Sequence, residues 1–202
     1  EVVVGGQSSG RVRGLFEVTR VPRVATASAE SFPTGGGVTL RLIGDGFGTR
    51  QSDVANVTVG SGVVVSSSVV FVSALELQVP LPSGVGTNLS VVVTMATGVR
   101  SPATVYVSYD RPTVTAVTPS YALAGTRGLA LTVDGANLGR TVSDFGNVTI
   151  GGAPCGSLQV VSTTQFRCLG WTANADFNQS TFDVVEVVVG GQSSGRVRGL
   201  FE

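Results

Sequence analysis

Residues 1–17, EVVVGGQSSGRVRGLFE, recur unchanged as residues 186–202, so the chain starts and finishes on one segment 185 positions apart. Internal repetition of this kind decides the architecture before any local reading does. Shared composition matches two positions roughly one time in ten, so seventeen consecutive identities are not accidental. The chain therefore reads as one period of a repeat, and joining Glu202 to Val18 gives a seamless unit. The first copy is the end of a preceding repeat, a donor hairpin for a neighbouring subunit, or an artificial duplication; the first two make a head-to-tail assembly. The apolar and terminal residues that would carry such an assembly are Glu1, Val2, Val3, Val4, Leu15 and Phe16, with their copies Glu186, Val187, Val188, Val189, Leu200 and Phe201.

What lies between the copies is β-type. Gly 28, valine-rich runs and only 13% charged residues are far from the Glu/Lys/Leu richness of helical proteins. No apolar run approaches the ~18 residues a membrane helix requires, so this segment is expected not to insert in a membrane. Its opening residue, Glu1, stands in mid-strand with no leader ahead of it, as expected of a piece of a longer secreted protein. The chain has no His and no Lys, and its 13 Arg balance 13 acids. The Arg are scattered rather than ranged in a stripe, which argues against a nucleic-acid partner.

Short β-branched segments follow one another at about ten-residue intervals, the cadence of a β-sandwich: 38–43, 56–60, 69–72, 75–79, 89–95 and 103–109. The pattern then repeats. GVTLRLIGDGFGTRQSDVANVTVGS (37–61) lies over GLALTVDGANLGRTVSDFGNVTIGG (128–152) at a constant offset of 91. Two homologous domains are expected, 18–111 and 112–202, meeting near Asp110-Arg111-Pro112, with 1–17 outside them. The final hairpin of the second, EVVVGG-QSS-GRVRGLFE, comes from the repeated segment and should complete its sandwich.

The second half also carries a family resemblance. RPTVTAVTPSYALAGTRGLALTVDGANLG, DFGNVTIGGAPC and TTQFRCLG resemble the IPT/TIG domain, an immunoglobulin-like module. The first half is similar more weakly, through Gly44, Phe47, Gly48, Asp53, Val57, Val59, Gly60 and Pro80, and departs from the pattern at both cysteine positions. The resemblance implies an all-β fold of two tandem immunoglobulin-like sandwiches plus the repeated terminal hairpin, and no enzymatic activity. Such domains occur in plexins and related receptors, Rel-type transcription factors, accessory modules of starch-degrading enzymes and large repetitive cell-surface proteins.

Cys155 and Cys168 stand at the family's paired positions, which implies a disulfide and an oxidising compartment. Two reduced buried thiols are the alternative. The offset of 91 places Val64 and Leu77 at the corresponding sites of the first domain, an apolar pair in place of a cystine. Four of six asparagines begin N-x-S/T: Asn56, Asn88, Asn147 and Asn178. Alternation that buries Val57/Val59 and Val148/Ile150 turns Asn56 and Asn147 outward, where a glycan would attach. The other reading is that these Asn and Thr are only the polar faces of half-buried strands.

Catalytic signals are weak. Without His or Lys, proton transfer falls to carboxylates, and Asp45, Asp53, Asp134, Asp144, Asp176 and Asp183 form no motif. Asp53 and Asp144 occupy equivalent loop positions, as structural turn or cap residues would. IGDGFG lacks the helix and the Lys of a phosphate loop, no third Cys or His completes a zinc site, and no calcium spacing is present. No catalytic residue, metal or cofactor is expected. Three functions remain: the repeat unit of an extracellular, glycosylated filament or stalk built from copies of itself; an ectodomain segment of a receptor or adhesion protein; or a carbohydrate-binding accessory module. The third would need a platform of exposed aromatics, which Trp171, Tyr106, Tyr109 and Tyr121 make poorly.

Overall fold

A computed structural model describes residues 3–8, 20–123, 125–173 and 184–200. At the N-terminus β1 (Val3–Val4) and β2 (Gln7–Ser8) form a small hairpin. The first sandwich follows: β3 (Arg23–Ala27), β4 (Ser31–Phe32), β5 (Thr39–Asp45), β6 (Val54–Val59), β7 (Gly62–Val65), β8 (Val70–Ser73), β9 (Glu76–Pro80), β10 (Leu89–Met95) and β11 (Val105–Tyr109). Its sheets run β3-β5-β9-β8 and β4-β11-β10-β6-β7. The second comprises β12 (Thr113–Thr118), β13 (Leu129–Ala136), β14 (Phe145–Ile150), β15 (Ala153–Pro154), β16 (Ser157–Ser162), β17 (Gln165–Trp171), β18 (Val185–Val189) and β19 (Gln192–Ser193), in sheets β12-β13-β17-β16 and β15-β14-β18-β19.

Period-two alternation builds both cores. Leu40 and Leu42 on β5 face Val57 and Val59 on β6, with Leu77, Val79, Val91 and Val93 closing the first interior. In the second, Leu131, Val133, Val148, Ile150, Val185 and Val187 take the corresponding places, and Phe145 meets Phe166 edge-on at 5.1 Å between ring centroids. Trp171 is buried and donates its indole N–H to the Ile150 carbonyl at 2.9 Å, so its polar atom is satisfied inside the core.

Strand register refines the expected alignment in two places. Leu40 lies opposite Val79 on β9, and its equivalent Leu131 lies opposite Cys168 on β17. The first-sandwich counterpart of Cys168 is therefore Val79, not Leu77, which matches Phe166 instead. Two residues are lost in the connection before β16, and an even slip keeps the same face inward. On the facing sheet Val59 pairs with Val91 and Ile150 with Val185, so the offset between β10 and β18 is 94.

The closing hairpin turns on Gly190 and Gly191, with φ of 55° and 80°, rather than on the Gln-Ser-Ser that follows. Both glycines lie in the left-handed region that the tight two-residue hairpin turn demands. Gln192 and Ser193 are already strand, paired with Val189 and Val188. The N-terminal copy makes the same hairpin: Val4 pairs with Gln7, Val3 with Ser8, and Gly5 and Gly6 turn at 56° and 79°. The local sequence alone thus sets this hairpin, but its surroundings differ. Val189 is 1% exposed inside the second sandwich, whereas its copy Val4 is 74% exposed. An isolated two-stranded hairpin is marginal in water, and burying one valine fully is worth about 1.5–3 kcal/mol.

Candidate functional site

The two sandwiches meet end to end. The upper end of the second, made by its β13–β14, β16–β17 and β18–β19 turns, seats against the lower end of the first. Thr34 is buried at this joint, donating its hydroxyl to the Leu138 carbonyl at 3.2 Å and its backbone N–H to Asn137 Oδ1 at 3.4 Å. Gln192 donates its amide to the Tyr109 carbonyl at 2.8 Å and to the Gly86 carbonyl at 3.4 Å. Arg140 reaches the Ser83 hydroxyl, and Val85 packs against the second core.

Local structure explains why these loops are stiff enough to dock. Tyr109, the last residue of β11, donates its hydroxyl to the Pro82 carbonyl at 2.6 Å and its N–H to the Gly86 carbonyl at 2.8 Å. Burial pushes its hydroxyl pKa up. The ring lies so close over Gly84 that a Cβ there would come within 2.6 Å of it. Across the joint, a Cβ on Gly190 would sit 2.5 Å from the Gly86 nitrogen, so the repeated hairpin must present glycine here. The same atom on Gly5 would meet nothing within 4 Å.

The turns after β5 and β13 are capped alike. Asp144 Oδ2 accepts from the Arg140 and Thr141 N–H groups at 2.8 and 2.9 Å, and Asp53 Oδ2 from those of Thr49 and Arg50 at 2.8 and 3.3 Å. The Thr49 N–H, then the Arg50 side chain, hold the Asp53 carboxyl below its usual pKa. These equivalent aspartates are structural caps. Asp45 shares the first turn region, while Asp134 accepts from the Gln165 amide at 2.7 Å on the second sheet. Asp176 and Asp183 lie outside the described residues.

In the second sandwich that upper end is covered by the first. In the first it is open, forming a cavity of about 480 Å³ lined by Arg20, Thr49, Arg50, Leu75, Ala96 and Thr97 among others. Strand register equates Thr49, Asp53, Ala74 and Ala96 there with Arg140, Asp144, Thr163 and Gly190 at the joint. A smaller cleft of about 310 Å³ runs along the joint itself between Ser83 and Arg140. Among the described residues no group of three or more His, Cys, Asp or Glu is placed to hold a metal ion.

Cys155 and Cys168 form a disulfide, with Cα atoms 5.5 Å apart. Asn147 is exposed on β14, Asn56 is half-buried on β6 between Val65 of β7 and Thr94 of β10, and Asn88 is exposed at φ 53°. Asn178 lies outside the described residues, as do Glu1, Val2, Leu15, Phe16 and Phe201. Glu186, Val187, Val188 and Val189 form β18; Val187 and Val189 are core, and Leu200 packs against it. The structure brings β1, with Val3 and Val4, to neither sandwich sheet. Among the joint residues, Thr34 and Ser83 lie in no sequence motif, Asn137 stands inside the family stretch GLALTVDGANLG and Gln192 inside the repeated hairpin, and the pairing of equivalent loops identifies their place at the joint.

The IPT/TIG domain model matches residues 22–109 and again 112–198. Fibrocystin-L of Mus musculus is 29% identical over 168 residues, covering 83% of this chain and 4% of that protein, so the chain spans a small part of that relative. Among solved structures, the plexin A4 extracellular region aligns over 89% of this chain and 18% of its own at 18% identity, with a TM-score of 0.39. The surface glycan-binding protein PbSGBP-B from Prevotella bryantii aligns over 89% of this chain and 41% of its own at 14% identity, with a TM-score of 0.46. With both halves of its length matched by the family model and both folded as the expected sandwiches, the chain belongs to the IPT/TIG domain family and carries two copies in tandem.

Proposed function

We propose that this chain is a non-catalytic ectodomain segment of a cell-surface receptor or adhesion protein, whose docked domain pair acts as a stiff spacer. The observation that carries the reading is the joint: a buried Thr34 hydroxyl, the Gln192 amide bonds and the Val85 contact tie the two domains at their ends, which suits holding a binding head at a set distance. The Cys155–Cys168 disulfide fits an oxidising, extracellular setting. N-linked glycans on Asn147, Asn88 and Asn56 belong to this reading, with Asn147 and Asn88 the more accessible.

The repeated hairpin favours a second, compatible reading, in which the spacer extends as a tandem stalk of such units. The donor-strand filament has less support, because the second sandwich already holds its own copy of the hairpin, β18 and β19, within its sheet. Native protein treated with an N-glycosidase and with a thiol-alkylating reagent tests the location. Loss of glycan mass with both thiols protected supports it; unglycosylated protein with two reactive thiols contradicts it.

A further inference from the structure

We infer that the open upper end of the first sandwich is a seat for the base of the second sandwich of another copy of this chain, preceding it covalently, so that the internal joint recurs between periods. This goes beyond the cell-surface reading and stands without it. The first observation is equivalence: the cavity lined by Thr49, Leu75 and Ala96 is formed by the same turns that, in the second sandwich, receive the first. An end that is buried in one domain and open in its homologue is an unfilled position in a series.

The occupant follows from the repeat. Residues 3–8 form the hairpin that in residues 188–193 belongs to a second sandwich, yet Val4 is 74% exposed where Val189 is 1%. That hairpin is built for a sandwich ahead of β3. The tether has a comparable length: Arg100, the register equivalent of Ser193, stands 13 residues before β12, and Ser8, the copy of Ser193, stands 15 before β3. The two surfaces also match in character. The base of the second sandwich carries Tyr121 and Leu123, 71% and 79% exposed, on the β12–β13 connection, where the corresponding connection of the first sandwich supplies Thr34 to the joint. On the seat, Leu75 is 58% exposed beside Ala74 and Ala96. Burying these exposed apolar side chains against each other removes both patches from water.

The test is a chain of two periods, Glu202 continuing into a second Val18–Glu202, with isotope label in the second period only. The amides of Leu75, Ala96 and Thr97 in that period should shift from their single-period positions and exchange roughly tenfold more slowly or better, as amides do when an opening is closed by packing. Leu75→Asp in the second period should return Ala96 and Thr97 to single-period rates while Leu40 and Leu42 stay protected, showing that the sandwich remains folded. Seat amides with the same shifts and rates in both chains would overturn the inference and leave the cavity to a different ligand. So would protection that survives Leu75→Asp unchanged.

Discussion

Reduction of the Cys155–Cys168 disulfide should separate the two domains energetically. The bond closes a loop of 13 residues, and loop-closure entropy for a loop of that size stabilises the folded state by about 3 kcal/mol. A single domain has only about 5–15 kcal/mol in total, so the loss is large, and at 4–8 °C per kcal/mol it should lower the second domain's melting midpoint by roughly 12–24 °C. Fluorescence isolates that domain, because Trp171 is the sole tryptophan and is buried there. The first domain has Val64 and Val79 where the cystine stands and loses only what the joint lends it. Its transition, followed by exchange of the β5 amides, should therefore move by a much smaller amount. Thermal scans with and without a phosphine reductant supply both readings. Equal shifts in the two domains, or an unmoved tryptophan transition, would refute the reasoning.

Replacing Gly190 with alanine should destabilise more than replacing Gly5: the two share sequence and φ, so the backbone strain is common and the difference isolates the 2.5 Å approach to Gly86. Chemical denaturation of the two variants checks it, and equal losses would remove the close approach from the account. Gln192→Ala removes the amide bonds to Tyr109 and Gly86 and should cost about 1 kcal/mol, seen as a wider gap between the two domain transitions. Asp144→Ala removes the acceptor for two backbone N–H groups and should cost about 1 kcal/mol in the Trp171-reported transition. For Asp53, whose folded pKa is depressed, the stabilisation is present above the unfolded carboxylate pKa and is lost as pH falls through the lower folded value. Protection of the Thr49 and Arg50 amides, measured against their intrinsic exchange at each pH, should therefore fall in acid, and in Asp53→Asn it should lack that acid-dependent fall.

The sandwiches were legible because valine and leucine alternate with polar residues on strands such as Thr39–Asp45 and Val54–Val59, a signal that needs no tertiary knowledge. The first-domain counterpart of Cys168 is Val79 rather than the expected Leu77 for an equally physical reason. A slip of two residues leaves alternation intact, so Leu77 and Val79 look equally good as its partner until strand pairing chooses. At the last hairpin the serine-rich run resembled a turn, but Gly190 and Gly191 reach positive φ more easily and took it. The joint left almost no trace. Thr34 and Ser83 are ordinary loop residues and Gln192 an ordinary strand residue, and their partners lie 104, 57 and 83 positions away in sequence, across a domain boundary in space.

Residual dipolar couplings on the single chain address the central claim, that the two domains are held end to end as one stiff unit. If the joint of Thr34, Val85, Tyr109 and Gln192 is fixed, amides from β5 and β13 fit one alignment tensor, and its axes relate the sandwiches as the structure does. Two independent tensors of different magnitude would show domains that tumble separately, and the spacer function would fail with them.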